Sequence, residues 1–196
     1  MKTYIEIKII DKDGKVVKEA KSEANSLVRN FIRALYGLMT AAQASFNVIT
    51  LTDITGATFG YPNLAAGGYP IFNVGAGSGE TRFGIVVGSG TSPVSYTDFR
   101  LASLIPHGTG SGQLFYSNTE YALLTLPDGT HVISFTRTFT NQSPGDVTIN
   151  EVGLGFHVTV PGPTSRYVLI ERTVLSSPIT LSPNQSAVIR YVFSVG

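Results

Sequence analysis

The segment Gly84-Ile85-Val86-Val87-Gly88-Ser89-Gly90-Thr91 opens the stretch of sequence that decides the fold. The stretch passes through Phe135-Thr136-Arg137-Thr138-Phe139-Thr140-Asn141 and closes at Ile149-Asn150-Glu151-Val152-Gly153-Leu154. Each run is short and either apolar or alternating, and Gly, Ser, Pro or Asn residues separate it from the next run. Because this pattern is typical of strands joined by turns, the sequence predicts a mainly β fold.

Strand and turn signals continue through the rest of the chain after residue 80. We expect strands at 82–88, 113–118, 120–126, 131–140, 146–159, 166–175 and 186–195. These strands do not alternate with helices, and the spacing of their turns is that of an antiparallel, jelly-roll-like β-sandwich. The last strand is expected either within its own sheet or in the sheet of another subunit.

The first part of the chain has a different pattern. Alternating residues on both sides of Asp13-Gly14 predict an N-terminal β-hairpin. Apolar residues at helical spacing predict one amphipathic α-helix over 26–39, with Arg29, Asn30 and Arg33 facing away from its apolar stripe. That stripe is expected to pack on the core or on a neighbouring subunit.

The pattern of elements also suggests a division of the chain. Residues 1–59 form an N-terminal region of hairpin, helix and one strand at 46–53, followed by a turn at 54–58. The Gly-rich residues 60–80 are expected to be a connection or an arm, because they lack a sustained apolar period. Residues 81–196 are expected to form the β-sandwich domain.

Charge is distributed unevenly along the chain. The formal net charge is only +1, which gives no long-range attraction to nucleic acid or to an anionic membrane. All six lysines lie within the first 21 residues, and the last 160 residues carry six arginines and eight acidic residues. Such a low number of charges has two interpretations: a bias in composition, or a subunit whose surface is covered by copies of itself.

Residue types that carry chemistry are sparse. The chain has no cysteine, which excludes disulfides and thiolate sites. His107, His131 and His157 are not at metal-ligand spacing, and no glycine cluster precedes a helix as a phosphate loop would. We therefore predict no catalytic, cofactor-binding or metal-binding residue, and no enzyme activity. We also expect neither a signal peptide nor a membrane span.

Glu151 is the one unusual polar residue, because it interrupts the apolar run Val147-Thr148-Ile149-Asn150-Glu151-Val152-Gly153-Leu154. A buried carboxylate needs a partner, since unpaired burial costs several kcal/mol. Alternation would place Glu151 on one face with Ile149 and Gly153. We predict Arg137, on a neighbouring strand, as its structural partner, and an exposed Glu151 on a solvent face is the alternative.

The chain resembles small structural proteins of tailed bacteriophages and related prokaryotic viruses. Short segments carry the resemblance: Ser26-Leu27-Val28-Arg29-Asn30-Phe31-Ile32 with Leu35-Tyr36, Gly84-Ile85-Val86-Val87-Gly88-Ser89-Gly90-Thr91, Asp98-Phe99-Arg100-Leu101, Ile105-Pro106-His107-Gly108-Thr109-Gly110, Arg137-Thr138-Phe139-Thr140-Asn141, Asn150-Glu151-Val152-Gly153-Leu154 and Ile170-Glu171-Arg172-Thr173-Val174-Leu175. The resemblance implies a virion protein made in the host cytoplasm: a minor capsid, decoration or tail-associated subunit. Its implied partners are copies of itself and other virion subunits, and the family has no catalytic residues to transfer.

Two other functions remain open at this point. One is a subunit of a cellular extracellular filament, in which residues 2–10 or 187–195 complete the sheet of the next subunit. The other is a carbohydrate-binding module or glycosidase-like jelly roll. The chain has no Trp and its Tyr residues are spread out, so the sequence shows no platform for stacking a sugar.

Overall fold

The computed structural model of the chain describes residues 2–24, 26–39, 49–61, 72–159 and 165–195. The fold is mainly β with antiparallel sheets and one helix, as the sequence predicts. The elements in chain order are β1 (Lys2–Ile10), β2 (Val16–Glu23), α1 (Arg29–Met39), β3 (Ile49–Thr52), β4 (Thr58–Tyr61), β5 (Gly84–Gly88), β6 (Phe115–Thr125), β7 (His131–Thr140), β8 (Val147–Thr159), β9 (Ser165–Leu181) and β10 (Ser186–Val195).

The larger sheet has five strands in the order β2-β1-β10-β7-β6. Its first and last strands in the chain are neighbours: β1 pairs with β10 from Lys2↔Ser194 to Ile10↔Ser186. The predicted N-terminal hairpin is therefore part of this sheet. The two strands that the sequence offered for donation to another subunit pair with each other within the chain.

Two smaller sheets complete the described strands. β5, β8 and β9 form a three-stranded sheet in the order β5-β8-β9, and β3 pairs with β4. One hydrophobic cluster takes side chains from both the five-stranded and the three-stranded sheet, including Ile7, Ile189, Ile85 and Leu154. Because each buried aliphatic side chain contributes roughly 1.5–3 kcal/mol, this shared cluster holds the two sheets together.

The strand predictions are confirmed to different degrees. The bounds of β7 and β10 are as expected, whereas the two strands expected at 113–118 and 120–126 form the single strand β6, with a register shift between Tyr116 and Thr119. β9 continues past the predicted end at residue 175. Ser176, Ser177 and Pro178 are exposed within an irregularity of the β8–β9 ladder, and pairing resumes at Ile179.

The segment after β3 was predicted incompletely. β4 follows the turn at 54–58 and pairs with β3, whereas the sequence suggested only a turn and a long connection. Residues 46–48 of the expected strand and residues 62–71 of the expected connection lie outside the described residues. The remainder of that connection contacts the sheets, because Asn73 bridges to His157 and the Gly79 N–H donates to the Tyr116 carbonyl.

The orientation predicted for the helix is wrong in part. Phe31 of the apolar stripe packs against the core as expected, but the polar residues do not face away from it. Asn30 is buried, and its side-chain amide donates to the carbonyls of Thr52 (2.8 Å) and Leu169 (3.1 Å). Arg29 and Arg33 likewise bond to β3, whereas Ile32 and Tyr36 are 61% and 53% exposed. The physical reason is that the open backbone groups of β3 and β9 need polar partners, so the polar side of α1 packs against them.

Candidate functional site

Glu151 lies at the centre of the most densely bonded polar cluster in the described part of the chain. Its side chain is fully buried, and its carboxylate accepts the backbone N–H groups of Gly90 (3.1 Å), Ala102 (3.1 Å) and Ser103 (2.8 Å). The Nε of Arg172, on β9, donates to the second carboxylate oxygen at 2.7 Å. The carboxylate therefore fixes the loop that follows β5 onto β8.

Arg172 extends this cluster to the same loop. Its guanidinium donates to the Asp98 carboxylate (2.8 Å) and to the carbonyls of Ser92 (2.9 Å) and Pro93 (3.4 Å). Burial alone would lower the pKa of Arg172, but the carboxylates of Asp98 and Glu151 outweigh it and hold that pKa above its ordinary value. The side chain stays charged, and its N–H groups donate to Glu151 and to groups of the loop after β5.

Two glycines make this close approach of backbone and carboxylate possible. A Cβ atom at Gly88 or at Gly90 would collide with the Glu151 carboxylate. These glycines belong to the segment Gly88-Ser89-Gly90 that the sequence suggested was turn punctuation. Their further role is to let the loop backbone reach a buried anion.

The predicted partnership of Arg137 with Glu151 is wrong. Arg137 lies on β7 in the five-stranded sheet, whereas Glu151 lies on β8 in the three-stranded sheet and pairs with Arg172. The expected shared face with Ile149 is also wrong. A register shift between Ile149 and Glu151 reverses the alternation, so Ile149 joins Val152 in the core and Glu151 turns to the loop.

Arg137 has a different set of partners, all of them backbone carbonyls. Its guanidinium donates to Ser117 (2.8 Å), Ile85 (2.8 Å), Phe83 (3.4 Å) and Gly77 (3.0 Å). Burial lowers the pKa of Arg137 to about 10, so the side chain is charged at neutral pH. Because Ile85 is on β5, this cation connects the five-stranded sheet to the three-stranded sheet.

Sequence reasoning missed a second buried carboxyl group, Glu171 on β9. Its two oxygens accept the hydroxyl groups of Thr173 and Tyr191. Burial raises the pKa of Glu171 to about 7, and burial together with Glu171 raises that of Tyr191 well above its ordinary value. A signal was present, since Glu171 interrupts the apolar run around Val168 much as Glu151 interrupts its own run.

The three histidines are held apart by the fold. The Nδ1 of His107 accepts the Tyr116 N–H at 3.1 Å, and His131 bonds to Thr125. His157 stacks on Tyr167, and burial lowers its pKa. Among the described residues, no three His, Asp or Glu side chains converge to hold a metal ion. In the same residues, no helix has the length and apolarity to cross a membrane.

A cleft of 390 Å³ lies beside β5 and the loop that follows it. Arg82 and Arg100 contribute its charged groups, and Val86, Leu101 and Leu169 contribute apolar surface. Its lining residues include neither a carboxylate nor an imidazole, so it holds no general acid or base that titrates near neutral pH. Arg82 is already paired with the Glu80 carboxylate at 2.6 Å, so the cleft offers neither a free pair of cations nor groups for proton transfer near neutral pH.

Comparison of the chain with protein-family models, with curated proteins and with solved structures gives no match. The function is therefore inferred from the chain's own residues and their geometry.

Proposed function

We propose that the chain is a non-enzymatic structural subunit of the virion of a prokaryotic virus: a minor capsid, decoration or tail-associated protein. One observation carries the proposal. The buried Asp, Glu and Arg side chains of the described residues are all engaged by structural partners: Asp53, Arg137, Glu151, Glu171 and Arg172. They hold loops and sheets in place, and none faces the cleft lined by Arg82 and Arg100.

The proposed architecture is a β-sandwich with a jelly-roll-like arrangement of strands. The shared hydrophobic cluster supports it, because side chains from β1 and β10 pack with side chains from β5 and β8. The contacts of Arg137 support it too, since this β7 side chain reaches the Ile85 carbonyl on β5. Two sheets connected by buried charged side chains form a rigid unit, which suits a subunit of an assembly.

The proposed partners are copies of the chain and other virion subunits. The low charge beyond residue 21 supports this, because a chain that works alone in solution usually carries more surface charge. Exposed apolar side chains support it as well: Tyr121 and Leu123 on β6 are 69% and 75% exposed. Large exposed apolar side chains that lie together are typical of interaction surfaces.

Copurification with virus particles tests the proposal. Particles from the organism that encodes the chain are banded in a density gradient and washed in high salt, and an antibody against the recombinant chain locates it. We expect the chain in the particle band at a fixed ratio to the main capsid protein, with immunogold label on capsid or tail. A host cytoplasmic enzyme serves as the control and should stay at the top. A chain that also stays entirely at the top contradicts the proposal.

A further inference from the structure

The two outer strands of the five-stranded sheet have opposite chemistry. The edge strand β2 carries Lys18, Glu19, Lys21 and Glu23 among its eight residues. Charged side chains of this kind are a usual protection against pairing with another chain, because approach of a second strand would desolvate them. The edge strand β6 has eleven residues and only one charge, Glu120, so it lacks this protection.

Part of the β6 edge is already covered within the chain. The Thr119 N–H donates to the Ala76 carbonyl at 2.8 Å, on the side that faces away from β7. Backbone groups alternate in direction along a strand, so those of Tyr121, Leu123 and Thr125 point to this same side. Among the described residues, no backbone group bonds to them there.

The same half of β6 presents apolar side chains. Leu123 is opposite Ile133 on β7, and Ile133 is opposite Phe193 on β10, so these side chains share one face of the sheet. Tyr121, Leu123, Ile133 and Val195 are 69%, 75%, 46% and 59% exposed on that face. Together they present on the order of 500 Å² of apolar surface, a patch size that is often functional on a single chain.

We propose that this half of β6 pairs with β6 of a second copy of the chain, antiparallel and about a two-fold axis through Leu123. This deepens the proposed structural function by naming the partner that its assembly requires. The two-fold places Leu123 opposite Leu123 and Tyr121 opposite Thr125, so that no charges meet and the outward backbone groups exchange hydrogen bonds. The apolar faces then continue from one copy to the other.

The chemistry of the edge favours a second copy as the occupant. The strand from Tyr121 to Thr125 carries no charge, so a second copy meets it without desolvating an ion, and side-by-side pairing satisfies the outward backbone groups of both copies. The Leu123 side chains of the two copies become cross-strand neighbours. The interface is isologous, so the pairing closes as a dimer and leaves the charged β2 edges outermost. Further growth of the sheet is thereby blocked at both ends.

A single introduced cysteine tests the pairing directly, because the chain has none of its own. In the proposed dimer the two Leu123 Cα atoms are about 5.5 Å apart, within the range that a disulfide spans. We expect L123C to form a disulfide-linked dimer under mild oxidation. V17C, on the 50% exposed Val17 of β2, is the matched control and should stay monomeric in non-reducing gels. Equal cross-linking of the two variants would overturn the pairing.

Sedimentation measures the assembly without a cross-link. We expect the full chain to sediment at twice its mass of 20.9 kDa, L123E at the monomer mass and V17E as a dimer. A cooperative thermal transition of the monomeric L123E, at a temperature that does not depend on protein concentration, shows that the fold is intact. A monomeric wild type overturns the inference. Slow alkylation of the L123C thiol would then show that the chain's own residues cover the β6 edge. Particle association is a separate readout, so a monomer found in particles leaves the proposed function standing.

Discussion

Glu151 on β8 and Glu171 on β9 are both fully buried, yet the groups that surround the two carboxyls differ. Glu151 meets a guanidinium and three backbone N–H groups. Glu171 meets two neutral hydroxyl groups, and its pKa rises to about 7. The two carboxyls are equally buried but differ in whether a cation and N–H donors surround the desolvated group.

The two carboxyls also differ in what they connect. Glu151 faces the loop after β5, which it ties to the three-stranded sheet through Arg172. Glu171 faces Tyr191 of β10, so its hydrogen bond joins the three-stranded sheet to the five-stranded sheet. A carboxyl paired with a guanidinium thus holds a loop, whereas a carboxyl bonded only to hydroxyl groups lies between the sheets, where the cost of a charge is greatest.

Removing the cation from the Glu151 cluster should have the largest effect. R172M leaves the carboxylate of Glu151 buried without a counter-ion, and we expect it to lower the free energy of unfolding by about 3–5 kcal/mol. Urea unfolding at pH 7 measures the loss. R190M is the matched control: Arg190 pairs with Glu6 at 3.3 Å, and both side chains are about a third exposed (35% and 32%), so its removal should cost about 1 kcal/mol or less. Equal losses in the two variants would show that the buried pair contributes no more to the free energy of unfolding than the exposed pair does.

The Glu171 carboxyl predicts a specific dependence of stability on pH. The folded pKa of Glu171, about 7, lies above the ordinary value of 4.5, so the folded state holds a proton that the unfolded chain releases. Stability should therefore fall as the pH rises from 4.5 through 7, by on the order of 3 kcal/mol in total, and then level off. E171Q removes this titration and should be more stable than the wild type at pH 8 and similar at pH 5.

The difference between wild type and E171Q isolates this one group. His157 titrates with the opposite sign, because its lowered pKa makes stability rise with pH, and Asp53 contributes only in acid. Both contributions are common to the two proteins and cancel in the difference. Chemical unfolding at a series of pH values gives the curve, and a difference that does not change with pH would contradict the raised pKa.

Arg137 offers a third case, a buried cation whose partners are all uncharged. R137M leaves four carbonyls without this donor, and we expect a loss of about 2–3 kcal/mol, smaller than for R172M because no buried charge is orphaned. Thermal and urea unfolding measure the loss at pH 7. A loss as large as that of R172M would mean that neutral carbonyls stabilise a buried ion as strongly as carboxylates do.

The sequence predicted local elements better than partners. β7 and β10 have their predicted bounds because clear turn residues flank both runs. The need of Glu151 for a cation was also predictable from its apolar surroundings. The identity of that cation was not, because Arg137 and Arg172 both lie in alternating strands, and the sheet order decides between them.

Sheet order depends on pairings that local periodicity does not encode. β1 pairs with β10, so residues from the two ends of the described chain are neighbours. β7 pairs with β10 in the same sheet, whereas β8 belongs to the other sheet. The register shift at Ile149 has a similar effect on a smaller scale, since it reverses which side chains face the core. Glu171 escaped notice for the same reason: its partner Tyr191 comes from the other sheet.

Asp98 marks the outer limit of the Glu151 cluster and should show the smallest effect. Its carboxylate accepts from Arg172 and from the Ser95 N–H (3.0 Å), but its side chain is 23% exposed, so water replaces part of what is lost. We expect D98N to lower the free energy of unfolding by about 1 kcal/mol. Because Glu151 keeps its contact with Arg172, the loss should be local. Hydrogen exchange should speed up at Ser95 and stay unchanged at Ser103, whose N–H is bonded to Glu151, and equal acceleration at both would mean that the loop is held as one unit.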